Sequence, residues 1–140
     1  MIRHSKLPDN IQDLLAHAQT YLRARKDVCF AYLFGSLAKR KPSDLSDVDI
    51  AVYLSEDADI LEKKIEILGK LIELLETDEI DLVILNSAPL TLKMRILETK
   101  QLIADNAPFL RHAYESLTMR EYFDFSITET NILKRRFLHG

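Results

Sequence analysis

Asp47 and Asp49 open the apolar run Val48 to Leu54. Side chains alternate along an extended strand, so Asp47, Asp49, Ala51 and Tyr53 share one face, and Val48, Ile50, Val52 and Leu54 the other. Two carboxylates at the mouth of an apolar strand cost free energy unless a cation or hydrogen bonds compensate. A bound metal is the simplest compensation. The plainer alternative is a solvated turn that merely leads into a strand, since turns favour Ser and Asp. Ten residues upstream the run Val28 to Phe34 ends in Gly35-Ser36. Glycine lets backbone approach a ligand closely, and successive N–H groups opening a helix bind anions. The Ser36 hydroxyl can donate to a phosphate oxygen, and Lys39 or Arg40 can neutralise its charge. The GxxxxGK[ST] spacing of a P-loop is absent. A third acid, Asp81, stands near the start of a later apolar run, Ile80 to Asn86.

The elements that must position these acids follow from periodicity. Residues 9–26 read as a helix, with Pro8 at its start and Ile11, Leu14, Leu15, Ala18, Tyr21 and Leu22 as its stripe; Arg23, Arg25 and Lys26 close it. Val28 to Phe34 is continuously apolar, as in a buried central strand. Ser36 to Arg40 predicts a short helix broken by Pro42, and Ser43 to Ser46 a polar loop. Ser55 is the expected N-cap of a helix over 57–76, with Leu61, Ile65, Leu68, Ile72 and Leu75 on one stripe, widened by Ile60, Ile67, Leu71 and Leu74. Strand three covers 80–86, a short helix 89–98, and Gln101 to Ala104 an edge strand. Two further helices are expected, one from Pro108 to about Tyr122 and one after Phe125.

Connection lengths bring the acids together. The short link between the first two strands makes them antiparallel neighbours, and the roughly twenty-residue helix between the second and third is a parallel crossover. Gly35-Ser36, Asp47, Asp49 and Asp81 then converge at one sheet edge. Asp81 alternates with Val83 and Leu85, as the Asp47/Asp49 face does with Ala51 and Tyr53. Three oxygen donors suit a hard cation such as Mg²⁺ with phosphate as co-ligand. His4, His17, His112 and His139 are scattered, and no His/Cys set offers zinc spacing.

The totals narrow the rest. A chain of 140 residues suits one domain, 1–140, with a core of its own. A net charge of −3 argues against broad affinity for nucleic acid. Cys29 is the only cysteine, lies in an apolar run, and reads as a small buried hydrophobe. No apolar run reaches the length of a membrane span, and no signal peptide heads the chain, so a soluble cytoplasmic protein is expected. The aromatics Tyr114, Tyr122, Phe123, Phe125 and Phe137 read as ordinary core, with a partner interface as the alternative. Lys134, Arg135 and Arg136 read as a solvated helix end.

Gly-Ser, ten residues, then Asp-x-Asp between apolar strands resembles the signature of the DNA polymerase β-type nucleotidyltransferases. Within these the small size is similar to minimal nucleotidyltransferases, and specifically to MntA-type adenylyltransferase antitoxins encoded beside HEPN-domain toxins. The motif covers 33–54 and 80–85, and a looser likeness extends to Arg120–Phe125. The resemblance implies an α/β nucleotidyltransferase fold, a small mixed sheet of three to four strands packed with helices. It assigns Gly35, Ser36, Lys39, Arg40 and Ser46 to the nucleotide, and Asp47, Asp49 and Asp81 to catalysis and to one or two Mg²⁺ ions. It also implies ATP as substrate, an AMP transfer, and a cognate HEPN toxin as partner in a hetero-oligomer. Where the family commonly reads GSxARG this chain has Lys39 and Arg40, so planar bidentate phosphate contact does not carry over to Lys39. A masking antitoxin without catalysis and an antibiotic-type nucleotidyltransferase are the alternatives.

Overall fold

The computed structural model describes residues 7–38, 47–56 and 58–139, with backbone only for Ser36 and 137–139. The elements are α1 (Ile11–Ala24), β1 (Val28–Phe34), α2 (Gly35–Ala38), β2 (Val48–Leu54), α3 (Ile60–Leu75), β3 (Ile80–Ile84), α4 (Leu90–Thr99), β4 (Gln101–Asp105) and α5 (Pro108–His139). The four strands form one sheet in the order β3-β2-β1-β4. β1 is antiparallel to both β2 and β4, and β2 is parallel to β3. This is the expected mixed sheet, with α3 as its parallel crossover.

Every residue of β1 is buried, because the strand is central and covered on both faces. On one face Val28, Ala31, Leu33, Val48, Ile50 and Val52 pack with α1 and α3. On the other, Phe30, Tyr32, Phe34 and Ala51 pack with Ile96 and Leu97 of α4 and Tyr114 of α5. Cys29 and Phe30 both belong to this second face, and the β1–β2 register shifts between Val28 and Phe30. A bulge therefore sits at Cys29, whose carbonyl accepts from both Asn106 and Ala107. β3 is shorter than 80–86. After Ile84 the chain turns through a 3₁₀ segment, Leu85–Ser87, and the Asn86 carboxamide takes over the ladder by pairing with the Leu54 N–H and C=O at 2.9 Å each.

Four further expectations are corrected. α1 ends at Ala24, and Arg25 is extended, gripping Asp27 at 2.7 Å and reaching Glu66 of α3 at 2.7 Å. α3 starts at Ile60, with Asp59, in the left-handed region and without a side-chain capping hydrogen bond, at the position expected for Ser55. Its buried residues are Ile67, Leu71 and Leu75, whereas Leu61 and Ile65 of the expected stripe are exposed, since the helix is rolled toward the sheet by its wider apolar set. The two expected C-terminal helices are one, α5, because nothing between Tyr122 and Phe125 breaks a helix. Among the described residues no helix is long and apolar enough to cross a membrane.

Candidate functional site

The acids meet where the topology requires. Phe34, the last residue of β1, pairs with Asp49, and Asp49 pairs in register with Asp81 on parallel β3. In-register neighbours point to the same face. That face is the α4/α5 side, because Ala51, Tyr53 and Val83 on the same parity all pack there. Asp49 is half-buried, and Asp47 and Asp81 are exposed beside it. Burial, then the negative charge of Asp81 and of Asp47, pushes the Asp49 carboxyl up to about 6, with Arg95 of α4 pulling weakly the other way.

Gly35 makes this closeness possible. Its φ is +73°, and a Cβ there would collide with the Asp49 carboxylate, whose Cγ lies 3.2 Å from that position. Only glycine meets both demands. The Gly35 N–H donates to Thr99 Oγ1 at 3.2 Å, so this amide is already engaged and α4 is fastened to the turn. Ser36 continues from Gly35 into α2. Lys39, Arg40 and Ser46 lie outside the described residues.

Three features escaped sequence reasoning. Thr99 of α4 accepts from the Gly35 amide, and Arg95, four residues earlier, sets its positive charge within reach of Asp49; nothing short of the tertiary packing marks them. Glu79 stands two residues before Asp81, and its Oε1 is buried without a hydrogen-bond partner among the described residues. Glu115, on α5, accepts from Tyr32 Oη at 2.5 Å and from Lys100 Nζ at 2.8 Å, while Arg111 bridges Glu115 at 3.3 Å and Asp105 at 2.9 Å.

Among the described residues no group of three His, Cys, Asp or Glu is gathered tightly enough to form a ready metal cluster. The donor chemistry nevertheless fits a hard cation: the side chains are oxygen donors, and Asp49 carries a repulsion that a cation would relieve.

Residues 17–108 match the model of the family described as Polymerase beta, Nucleotidyltransferase. The chain belongs to this nucleotidyltransferase family. A comparison with curated proteins found no match. Among solved structures, the chain is similar to one from a toxin-antitoxin complex with AMP-PNP, at 22% identity and TM-score 0.69, over 87% of this chain and 98% of that one. A second comes from the tri-AMPylated Shewanella oneidensis HEPN toxin in complex with MNT antitoxin, at 23% identity and TM-score 0.66, over 90% and 98%. A third comes from the toxin-antitoxin MntA-HepT, at 20% identity and TM-score 0.63, over 93% and 99%. These likenesses show a shared fold, and the nucleotidyltransferase family membership rests on the matched segment, which contains the Gly35-Ser36 turn and all three aspartates.

Proposed function

We propose that this chain, as one minimal domain over 1–140, transfers AMP from ATP to a protein hydroxyl, a tyrosine of a cognate HEPN ribonuclease toxin, and so acts in the cytoplasm as its antitoxin. The observation that carries this reading is the register of Asp49 with Asp81 beside Gly35. The toxin-antitoxin setting of the similar structures supports the choice of acceptor.

Asp47, Asp49 and Asp81 would hold one or two Mg²⁺ ions. When bound, the metal neutralises charge on the triphosphate and relieves the repulsion around Asp49. The acceptor hydroxyl oxygen attacks the α-phosphorus, forming an O–P bond as the bond to the bridging oxygen of pyrophosphate breaks. Asp81, exposed on β3, takes the hydroxyl proton. Ser36 and its helix-opening amides hold phosphate oxygens, since the Gly35 N–H is committed to Thr99. Lys39, Arg40 and Ser46 complete the nucleotide contacts.

The test is incubation of the purified chain with α-labelled ATP, Mg²⁺ and the HEPN-type protein encoded beside it. Label is expected on that protein, and Asp47→Asn with Asp49→Asn should reduce it by at least about a thousand-fold, the several kcal/mol a catalytic metal supplies. Labelling that survives the double substitution overturns the assignment. A tight complex without label would instead support masking by binding. Label on an aminoglycoside would support a small-molecule acceptor.

A further inference from the structure

The N-terminal part of α5 is anchored to the sheet in a definite direction. Arg111 pairs with Asp105, which lies opposite Phe30, and the Tyr114 ring packs on Phe30 and Tyr53 at the end of β2 remote from the acids. One turn later Glu115 meets Tyr32 and Lys100, and Lys100 precedes Gln101, the partner of Leu33. The helix thus advances along β1 toward Phe34 and Asp49. Thr118 is the last buried residue; Tyr122 and Ser126 are half-buried, and everything from Ile127 to Arg136 is exposed. At 1.5 Å per residue, about 30 Å of helix follows Thr118 on the acid side of the molecule.

The arm leaves large apolar side chains in the open. Phe123 is 64% exposed, Ile132 51%, Phe125 46% and Ile127 44%. Residues two apart on a helix sit about 200° apart, so Phe123 and Phe125 point to nearly opposite sides, as do Ile127 and Ile132, five apart. Phe125 and Ile132 prolong the stripe that carries Thr118, whereas Phe123 and Ile127 lie across from it. A helix that is apolar on opposite sides is stable in water only when enclosed. A second copy in a two-stranded pairing covers one seam and leaves the other wet. A flat surface does the same.

The geometry points to the projecting half of α5 as the docking arm for the protein acceptor. It enters an apolar groove of that partner, covering both apolar sides, and holds the acceptor hydroxyl at the Asp49–Asp81 edge. This rests on the reading above that the acceptor is a protein. It adds that the arm selects the acceptor. The arm's direction decides for the acceptor over an unrelated partner, because the anchored part of α5 runs along β1 toward the strand end that pairs with Asp49, so its continuation leads toward the acid edge a protein acceptor must reach.

Two full-length variants test it, Phe123→Glu with Ile127→Glu on one side and Phe125→Glu with Ile132→Glu on the other. Each is assayed with α-labelled ATP and the neighbour-encoded HEPN-type protein for label transfer, for complex mass by light scattering, and for binding of a fluorescent non-hydrolysable ATP analogue. Both pairs are expected to lower label transfer and complex formation at least about tenfold, as loss of buried aromatic anchors does. Analogue binding and the melting curve should stay close to the parent chain, since none of these side chains belongs to either core cluster and the Phe125 ring meets only Tyr122 of its own helix. Loss with only one pair means a single seam and overturns the enclosed arm, and so does full labelling by both variants. If the parent chain labels nothing but its complex depends on both pairs, the arm stands and AMP transfer falls. If the parent labels its partner and both variants do too, transfer stands and the arm falls. If the parent neither labels nor binds that protein, both readings fall.

Discussion

Glu115 and Asp49 lie on the same side of the sheet, over neighbouring strands, and their surroundings treat charge in opposite ways. Burial alone would raise the Glu115 carboxyl, but hydrogen bonds from Lys100 and Tyr32 and the charge of Arg111 outweigh it and hold it below the ordinary range. Asp49 is also withdrawn from water, yet its nearest charges are Asp81 and Asp47, and its carboxyl rises to about 6. The first cluster is closed: each acid has a donor, and the cluster fastens α5 to β1 and β4. The second is open, two strand residues away. A fold that pairs one buried carboxylate so fully and leaves the other facing like charge has left room for something positive from outside.

The comparison predicts that the open cluster governs activity and the closed one governs stability. The largest effect should come from Asp81→Asn, a fall in AMP transfer of about a thousand-fold, the scale of a lost general base, with analogue binding largely kept. A smaller loss with an unchanged pH profile would move the base elsewhere. Next, Glu115→Ala leaves Lys100 and Arg111 facing a void and should cost about 3 kcal/mol in a urea titration. A change within noise would mean that the cluster does not hold α5. Gly35→Ala should cost about 2 kcal/mol through its left-handed backbone, and should disturb transfer more than melting because the new methyl displaces Asp49. The smallest effect on stability is that of Asp49→Asn. A carboxyl with its folded pKa above the unfolded one binds more protons when folded, so it weakens the fold as pH rises from about 4 through 6. Its removal should therefore stabilise the apo protein by on the order of 1 kcal/mol above pH 6, discounted for its partial exposure, and change little near pH 4. Mg²⁺ should raise the melting temperature of the parent chain at pH 7 more than that of Asp49→Asn.

Much of the site was readable in one dimension. Alternation placed Asp49 with Ala51 and Tyr53, and crossover length placed Asp81 beside it, because strand parity and parallel connection are local rules. Tyr122, Phe123 and Phe125 show the reverse. Expected as core, Phe123 and Phe125 are exposed on the projecting half of α5, and Tyr122 is only half-buried. Apolar content says that a residue wants cover but not which chain supplies it.

The amino-acid sequence by itself determined the Gly-Ser turn, the two-residue spacing of the aspartates and the order of strands and helices, since each depends on near neighbours. Only the tertiary structure decided that Thr99 ties down the Gly35 amide, that Glu115 is neutralised while Asp49 is not, and that α5 runs along β1 toward Phe34. These depend on residues tens of positions apart, whose distances are set by how the helices pack and not by the chain between them.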